Sequence, residues 1–119
     1  MRARTRAIHR LWNVRTGAVL AQRVRLADTP GARELRLLAR DVIGCDDGLW
    51  LDGCTEIDTF GMRVAIDVLF LDDEGRVIAA HYEVPPNVRM IRCDLATSAV
   101  QLGTAAERDV RYGDFLELA

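Results

Sequence analysis

Lysine is missing from this chain of 119 residues; all sixteen of its basic residues are arginine. A basic set made only of arginine follows from a GC-rich genome more readily than from selection for one mode of binding. Cysteine is scarce and odd in number. Cys45, Cys54 and Cys93 have no C-x-x-C spacing, which excludes a fully paired disulfide framework and the usual zinc-ligand pattern. Three free thiols in a reducing compartment are expected. No stretch approaches the roughly 18 unbroken apolar residues of a membrane-spanning helix. The N-terminal run MRARTRAIHRLWNVR has the positive charge of a signal peptide, without its apolar centre or a small-residue cleavage site. A cytoplasmic protein with no membrane association is therefore expected.

Half of the residues are apolar. A chain of this length makes one domain, 1–119, and buries about two-thirds of its unfolded surface. The net charge of −2 conceals an asymmetry. Residues 1–40 hold ten Arg against two acids, a balance of +8, and residues 41–119 hold six Arg against sixteen acids, a balance of −10. Such a split can mark a nucleic-acid surface. It also arises when the two halves pack on each other, and with an all-arginine basic set nucleic acid is not an expected partner. Residues 1–8, with Arg2, Arg4 and Arg6, read as a flexible basic end that continues to Arg10.

Short apolar runs punctuated by turn residues dominate the rest. Leu11–Val14 and Ala18–Leu26 flank Arg15-Thr16-Gly17 as a hairpin. Asp28 or Thr29 can cap a helix over residues 29–42, with Pro30 at its first position and Leu35, Leu38, Ala39 and Val42 on one face. Gly48–Leu51 is a strand. Val64–Leu71 and Arg76–Val84 flank the turn Asp72-Asp73-Glu74-Gly75. Pairing Asp72 with Arg76 sets Phe70 opposite Ile78, Val68 opposite Ala80, Ile66 opposite Tyr82 and Asp67 opposite His81. The Val64, Ile66, Val68, Phe70 face is then core. Met90–Cys93, Thr97–Leu102 and Phe115–Leu118 are further strands, and Thr104–Asp109 is one or two helical turns. Seven or eight short strands with one helix point to a small, mainly β sandwich or barrel.

Cys54, Thr59-Phe60-Gly61-Met62-Arg63, Ile66-Asp67-Val68, Phe70-Leu71-Asp72 and Gly75-Arg76-Val77, followed by Pro85-Pro86, Cys93 and Gly113-Asp114, resemble the domain-of-unknown-function family 192, also called uncharacterised protein family 0127. The resemblance spans about residues 20–118. It implies a jelly-roll-like β fold and no known substrate. The chain departs from the family pattern at Asp58, where histidine is usual, and at Asn87, where tryptophan is usual. It also has Arg36 and Ala39 at usual glycine positions, and lacks a Pro-Ala before Gly103. A site built on that histidine or tryptophan would be altered here.

Two classes of function are open. The first is a non-catalytic binding module that recognises a small anionic ligand or a protein partner through loops 54–63 and 85–93. Its candidate residues are Cys54, Asp58, Thr59, Phe60, Met62, Arg63, Arg89, Arg92 and Cys93. Phe60 and Met62 supply contact area, and Arg63, Arg89 and Arg92 attract an anion. The second is a small enzyme, with Asp67 orienting His81 and Cys54 as nucleophile. A structural role for Asp67 is preferred, as an acceptor for backbone N–H groups of the preceding loop or as a partner of Arg63. Cys54, Asp58, His81 and Cys93 share no metal-site spacing, and no motif calls for a cofactor.

Overall fold

A computed structural model describes residues 8–27 and 43–119. Alternating apolar residues and a Gly17 turn make the hairpin of β1 (Ile8–Asn13) and β2 (Val19–Ala27). The first strand thus begins three residues before Leu11, and Arg10 lies within it. Then follow β3 (Asp47–Asp52), β4 (Glu56–Ile57), β5 (Ile66–Leu71), β6 (Val77–Val84), β7 (Ile91–Arg92), β8 (Ser98–Gly103) and β9 (Leu116–Leu118). The helix expected over 29–42 lies outside the described residues. Residues 104–109 form a turn without helix, with the Arg108 N–H donating to the Ala105 carbonyl. The reason is that the Arg108 side chain is drawn inward to a buried partner, described below.

Seven strands form one sheet in the order β6-β5-β8-β3-β2-β1-β9, and β4 pairs with β7 in a second, small sheet. Only β2 and β3 pair in parallel in the large sheet. A parallel pair needs a connection of about a dozen residues or more, and the chain from 28 to 46 supplies that length. The large sheet is not closed, yet its two edges meet at one end. Arg76, just before β6, bridges to Phe115, just before β9. The Val77 N–H donates to Asp114 O at 2.8 Å, and the Gly113 N–H to Val77 O at 2.8 Å. Opposite edges of one sheet can meet only if the sheet curls.

The curl creates two cores. Leu11, Val24, Leu69, Leu71, Val100 and Leu116 come from strands at both edges and the middle, so their cluster fills the concave side. Ile66, Val68, Phe70, Leu49, Leu51 and Ala99 pack on the convex side beneath Ile57, Met62 and Ile91 of the loops. Strands β5 and β8 are buried along their whole length. Their continuous apolar runs fit a strand covered on both faces. Backbones also approach closely. A Cβ at Gly103 would lie 2.0 Å from the Gly44 carbonyl oxygen, a contact that only glycine avoids.

The β5–β6 pairing departs from the expected register. Leu71 pairs with Val77, in agreement with the turn, but Phe70 pairs with Ala79, Val68 with His81 and Ile66 with Val84. The ladder is irregular between Leu71 and Phe70 and again between Val68 and Ile66. Near the second irregularity Glu83 takes φ +52°, a left-handed conformation usual for glycine and costly for other residues. Asp67 and His81 are therefore not a cross-strand pair.

Candidate functional site

The loops at 54–63 and 85–93 are brought together on the convex side, and Thr59 is the residue that joins them. It is fully buried. Its backbone N–H donates to Val88 O at 2.9 Å, and its carbonyl accepts the Asn87 N–H at 2.9 Å. Its hydroxyl donates to Pro85 O at 2.7 Å and accepts the Val88 N–H at 2.8 Å. Beyond it, β4 and β7 pair through Glu56 with Arg92 and Ile57 with Ile91. Ile57, Met62 and Ile91 are buried in the convex core and anchor the lobe. Thus Met62 is an anchor and not a contact surface.

The two departures from the family pattern fit this frame. The Asp58 carboxylate accepts the Phe60 N–H at 3.1 Å, a turn that a short acceptor side chain makes locally. Asn87 has φ +66° and accepts the Gly61 N–H at 3.3 Å through its side-chain oxygen. Asparagine tolerates that left-handed region better than most residues. Met90 also lies there, at φ +58°, and is 59% exposed.

Phe60 and Arg89 form the outer surface of the lobe. Phe60 is 51% exposed, and the Arg89 guanidinium carbon lies 4.4 Å from its ring centroid, a cation–π stack. Arg89 makes no ion pair among the described residues. Arg92 differs, since Glu56 lies at 3.2 Å and Asp94 at 3.5 Å. Arg63 is exposed and is also engaged in an interaction. Cys54 is buried, with its Sγ donating to Glu56 O at 3.2 Å, and Cys93 is half-buried against the same core.

Asp67 points to the other side of the sheet. It is 1% exposed; one oxygen accepts the Glu83 N–H at 2.8 Å, and the other receives the Arg108 guanidinium in a close ion pair. The Arg108 side chain is itself buried and donates also to Cys45 O at 2.9 Å. The carboxylate therefore caps the strained N–H at Glu83 and neutralises a buried cation. Neither Arg63 nor the preceding loop is its partner among these bonds. His81 is exposed, and its ring meets the edge of Phe70 at 6.0 Å between centroids. The geometry places Cys54 in the convex core and gives neither it nor Asp67 a hydrogen bond to His81.

A second polar centre was not singled out by the sequence, except that Gly113-Asp114 belongs to the family pattern. Buried Asp114 accepts Arg15 Nε at 2.7 Å, Asn13 Nδ2 at 2.9 Å and the Arg111 N–H at 2.8 Å. The Arg15 hydrogen bond, helped by Asn13 and the Arg111 N–H, outweighs burial and holds the Asp114 carboxyl well below the usual carboxylate range. Two cavities lie away from the loops. One of about 280 Å³ involves Leu20, Cys45, Ala105 and Arg108, and one of about 260 Å³ involves Arg10, Trp12, Val19 and Ala119. Among the described residues no group of three or more His, Cys, Asp or Glu is placed to hold a metal ion, and no helix is long and apolar enough to cross a membrane.

The fold is shared with solved structures. A protein of Sinorhizobium meliloti 1021, provisionally described as a transcription regulator, is 24% identical with a TM-score of 0.81, over 94% of each chain. A protein of unknown function from Novosphingobium aromaticivorans DSM 12444 is 17% identical with a TM-score of 0.76, over 93% of this chain and 84% of its own. At these identities the likeness is one of fold. Among curated proteins none matches the sequence significantly. The model of the domain-of-unknown-function family 192, described as an uncharacterized ACR, matches residues 12–118, and the chain belongs to that family.

Proposed function

We propose that this protein is a binding module, and that the lobe of loops 54–63 and 85–93 recognises an anionic group carried beside an apolar surface. The observation that carries this reading is Arg89. Its guanidinium is held over the exposed Phe60 ring and has no carboxylate partner among the described residues. Stacking costs the guanidinium no N–H donor, so its edge stays available for a bidentate oxyanion. Exposed Met90 supplies apolar contact beside it. The Thr59 bonds make the frame rigid, which reduces the ordering cost of binding.

The test is a thermal-shift series with inorganic phosphate, acetate and chloride at matched ionic strength. A ligand that binds only the folded state raises the melting temperature by mass action. Phosphate or acetate should stabilise the wild type relative to chloride, and Arg89→Ala should lose that stabilisation. Equal shifts in wild type and Arg89→Ala would overturn the assignment of the site.

A further inference from the structure

The convex side of the large sheet carries a second surface at its β2-β1-β9 end. Along β1, the side chains of Ile8, Arg10 and Trp12 alternate with Leu11 and Asn13, which are buried on the concave side. On β2, Val19 pairs with Trp12; on β9, Glu117 pairs with Trp12, and Arg10 exchanges backbone hydrogen bonds with Ala119. The convex face of β9-β1-β2 therefore presents Ile8, Trp12 and Val19, with Arg10 between Ile8 and Trp12 on β1 and Glu117 beside Trp12 on β9. Ile8 is 52% exposed, Val19 is 41% exposed and Trp12 is half-buried. A cavity of about 260 Å³ lies between Arg10, Trp12, Val19 and Ala119.

The charges on this face decide what fits it. Arg10 and Glu117 make no ion pair among the described residues, while Arg23 on β2 is held by Asp47 at 2.9 Å. Among the described residues Arg10 and Glu117, a cation and an anion without an ion pair, flank the indole, while Arg25, opposite Ile8, is itself engaged in an interaction, so the face is apolar with its open charges balanced. A polyanion would meet Glu117, which argues against nucleic acid. A copy of the same face is complementary to it. A twofold axis lying in the plane of the face, passing beside Trp12 and between Arg10 and Glu117, sets each Arg10 over Glu117 of the other copy. The same axis brings the two indoles together at the cavity.

We infer that two copies of this chain associate through the β9-β1-β2 face in a self-complementary dimer. Isologous contacts of this kind are the commonest route to soluble oligomers, and a large aromatic such as the half-buried Trp12 near the centre of the patch is the residue type that anchors them.

Sedimentation velocity across micromolar to millimolar concentration tests the inference with four variants at Arg10, Trp12 and Glu117. The wild type should reach a dimer. Arg10→Glu and Glu117→Arg should each raise the dimer dissociation constant by about tenfold or more, because each sets like charges opposite one another. The double variant Arg10→Glu, Glu117→Arg restores opposite charges and should recover most of the affinity. Trp12→Ser should weaken the dimer irrespective of charge. A wild type that stays monomeric, a dimer indifferent to all four variants, or a double reversal as weak as the singles would overturn the inference.

Discussion

The seam where the two edges of the sheet meet and the lobe on the convex side both join segments far apart in sequence, yet they use different chemistry. At the seam, Asp114 draws Asn13, Arg15 and Arg111 together, and its carboxylate is saturated by charged and amide donors. In the lobe, one neutral hydroxyl and the backbone N–H and carbonyl of Thr59 hold Pro85, Asn87 and Val88. The seam consumes its arginine. The Thr59 joint needs no charge, the Arg92–Glu56 pair lies on the exposed side of β4–β7, and Arg89 is left outside the frame. The Asp67–Arg108 pair belongs with the seam in this respect, since its arginine is buried and committed. A cation fully used by the fold is structural, and one held in place but left unpaired is the better candidate for recognition.

Breaking the committed charges should have the largest effect. Asp67→Ala leaves Arg108 buried without its carboxylate and the Glu83 N–H without an acceptor. It should cost about 3–5 kcal/mol in urea denaturation. If the loss is instead below about 1 kcal/mol, the pair is solvated and not part of the core. Asp114→Asn should cost about 2–3 kcal/mol, since charge-assisted bonds to Arg15 are lost. The sign of the pH dependence follows from the lowered Asp114 pKa. The stabilisation is fully present above the unfolded carboxylate pKa of about 4, and is lost as pH falls toward the folded value. Wild type should therefore lose more stability than Asp114→Asn on moving from about pH 5 to pH 2.

The lobe should respond more weakly and without charge. Thr59→Val removes the hydroxyl that serves Pro85 and Val88, and should cost about 1–2 kcal/mol. That cost should be the same at pH 7 and pH 5, because no group that titrates takes part. A pH-dependent loss would mean that a nearby charge holds the loops together. The smallest effect is expected for Arg89→Ala, about 0.5–1 kcal/mol, the strength of an exposed cation–π contact. A larger loss would move Arg89 into the frame and weaken its assignment to binding.

Much of this contrast could be read in the sequence, and some could not. The alternation through Ile66, Val68 and Phe70 placed one core face correctly, and the Asp72–Gly75 turn set the first pair of its hairpin. The slip begins with an irregularity between Leu71 and Phe70, and a left-handed Glu83, a conformation that no glycine announces, accompanies the second irregularity between Val68 and Ile66. Its compensation is Asp67, a residue the motif made conspicuous without showing that its partners lie 16 and 41 positions away. Arg108 drew no attention in a segment that read as a short helix. Loops 54–63 and 85–93 were legible as one region because irregular, Gly- and Pro-containing connections between strands collect at an end of a β-domain. That Thr59 joins them, and that Met62 is buried while Phe60 is exposed, depended on packing against Ile57 and Ile91.

The claim that the lobe offers Arg89, without a carboxylate partner among the described residues, to an anion is tested most directly by two-dimensional amide NMR during titration with inorganic phosphate. The account predicts saturable shifts confined to Phe60, Gly61 and the 87–91 segment, and their loss in Arg89→Ala while the rest of the spectrum is unchanged. Saturable shifts that persist in Arg89→Ala, or that map to the seam around Arg15 and Asp114, would contradict it.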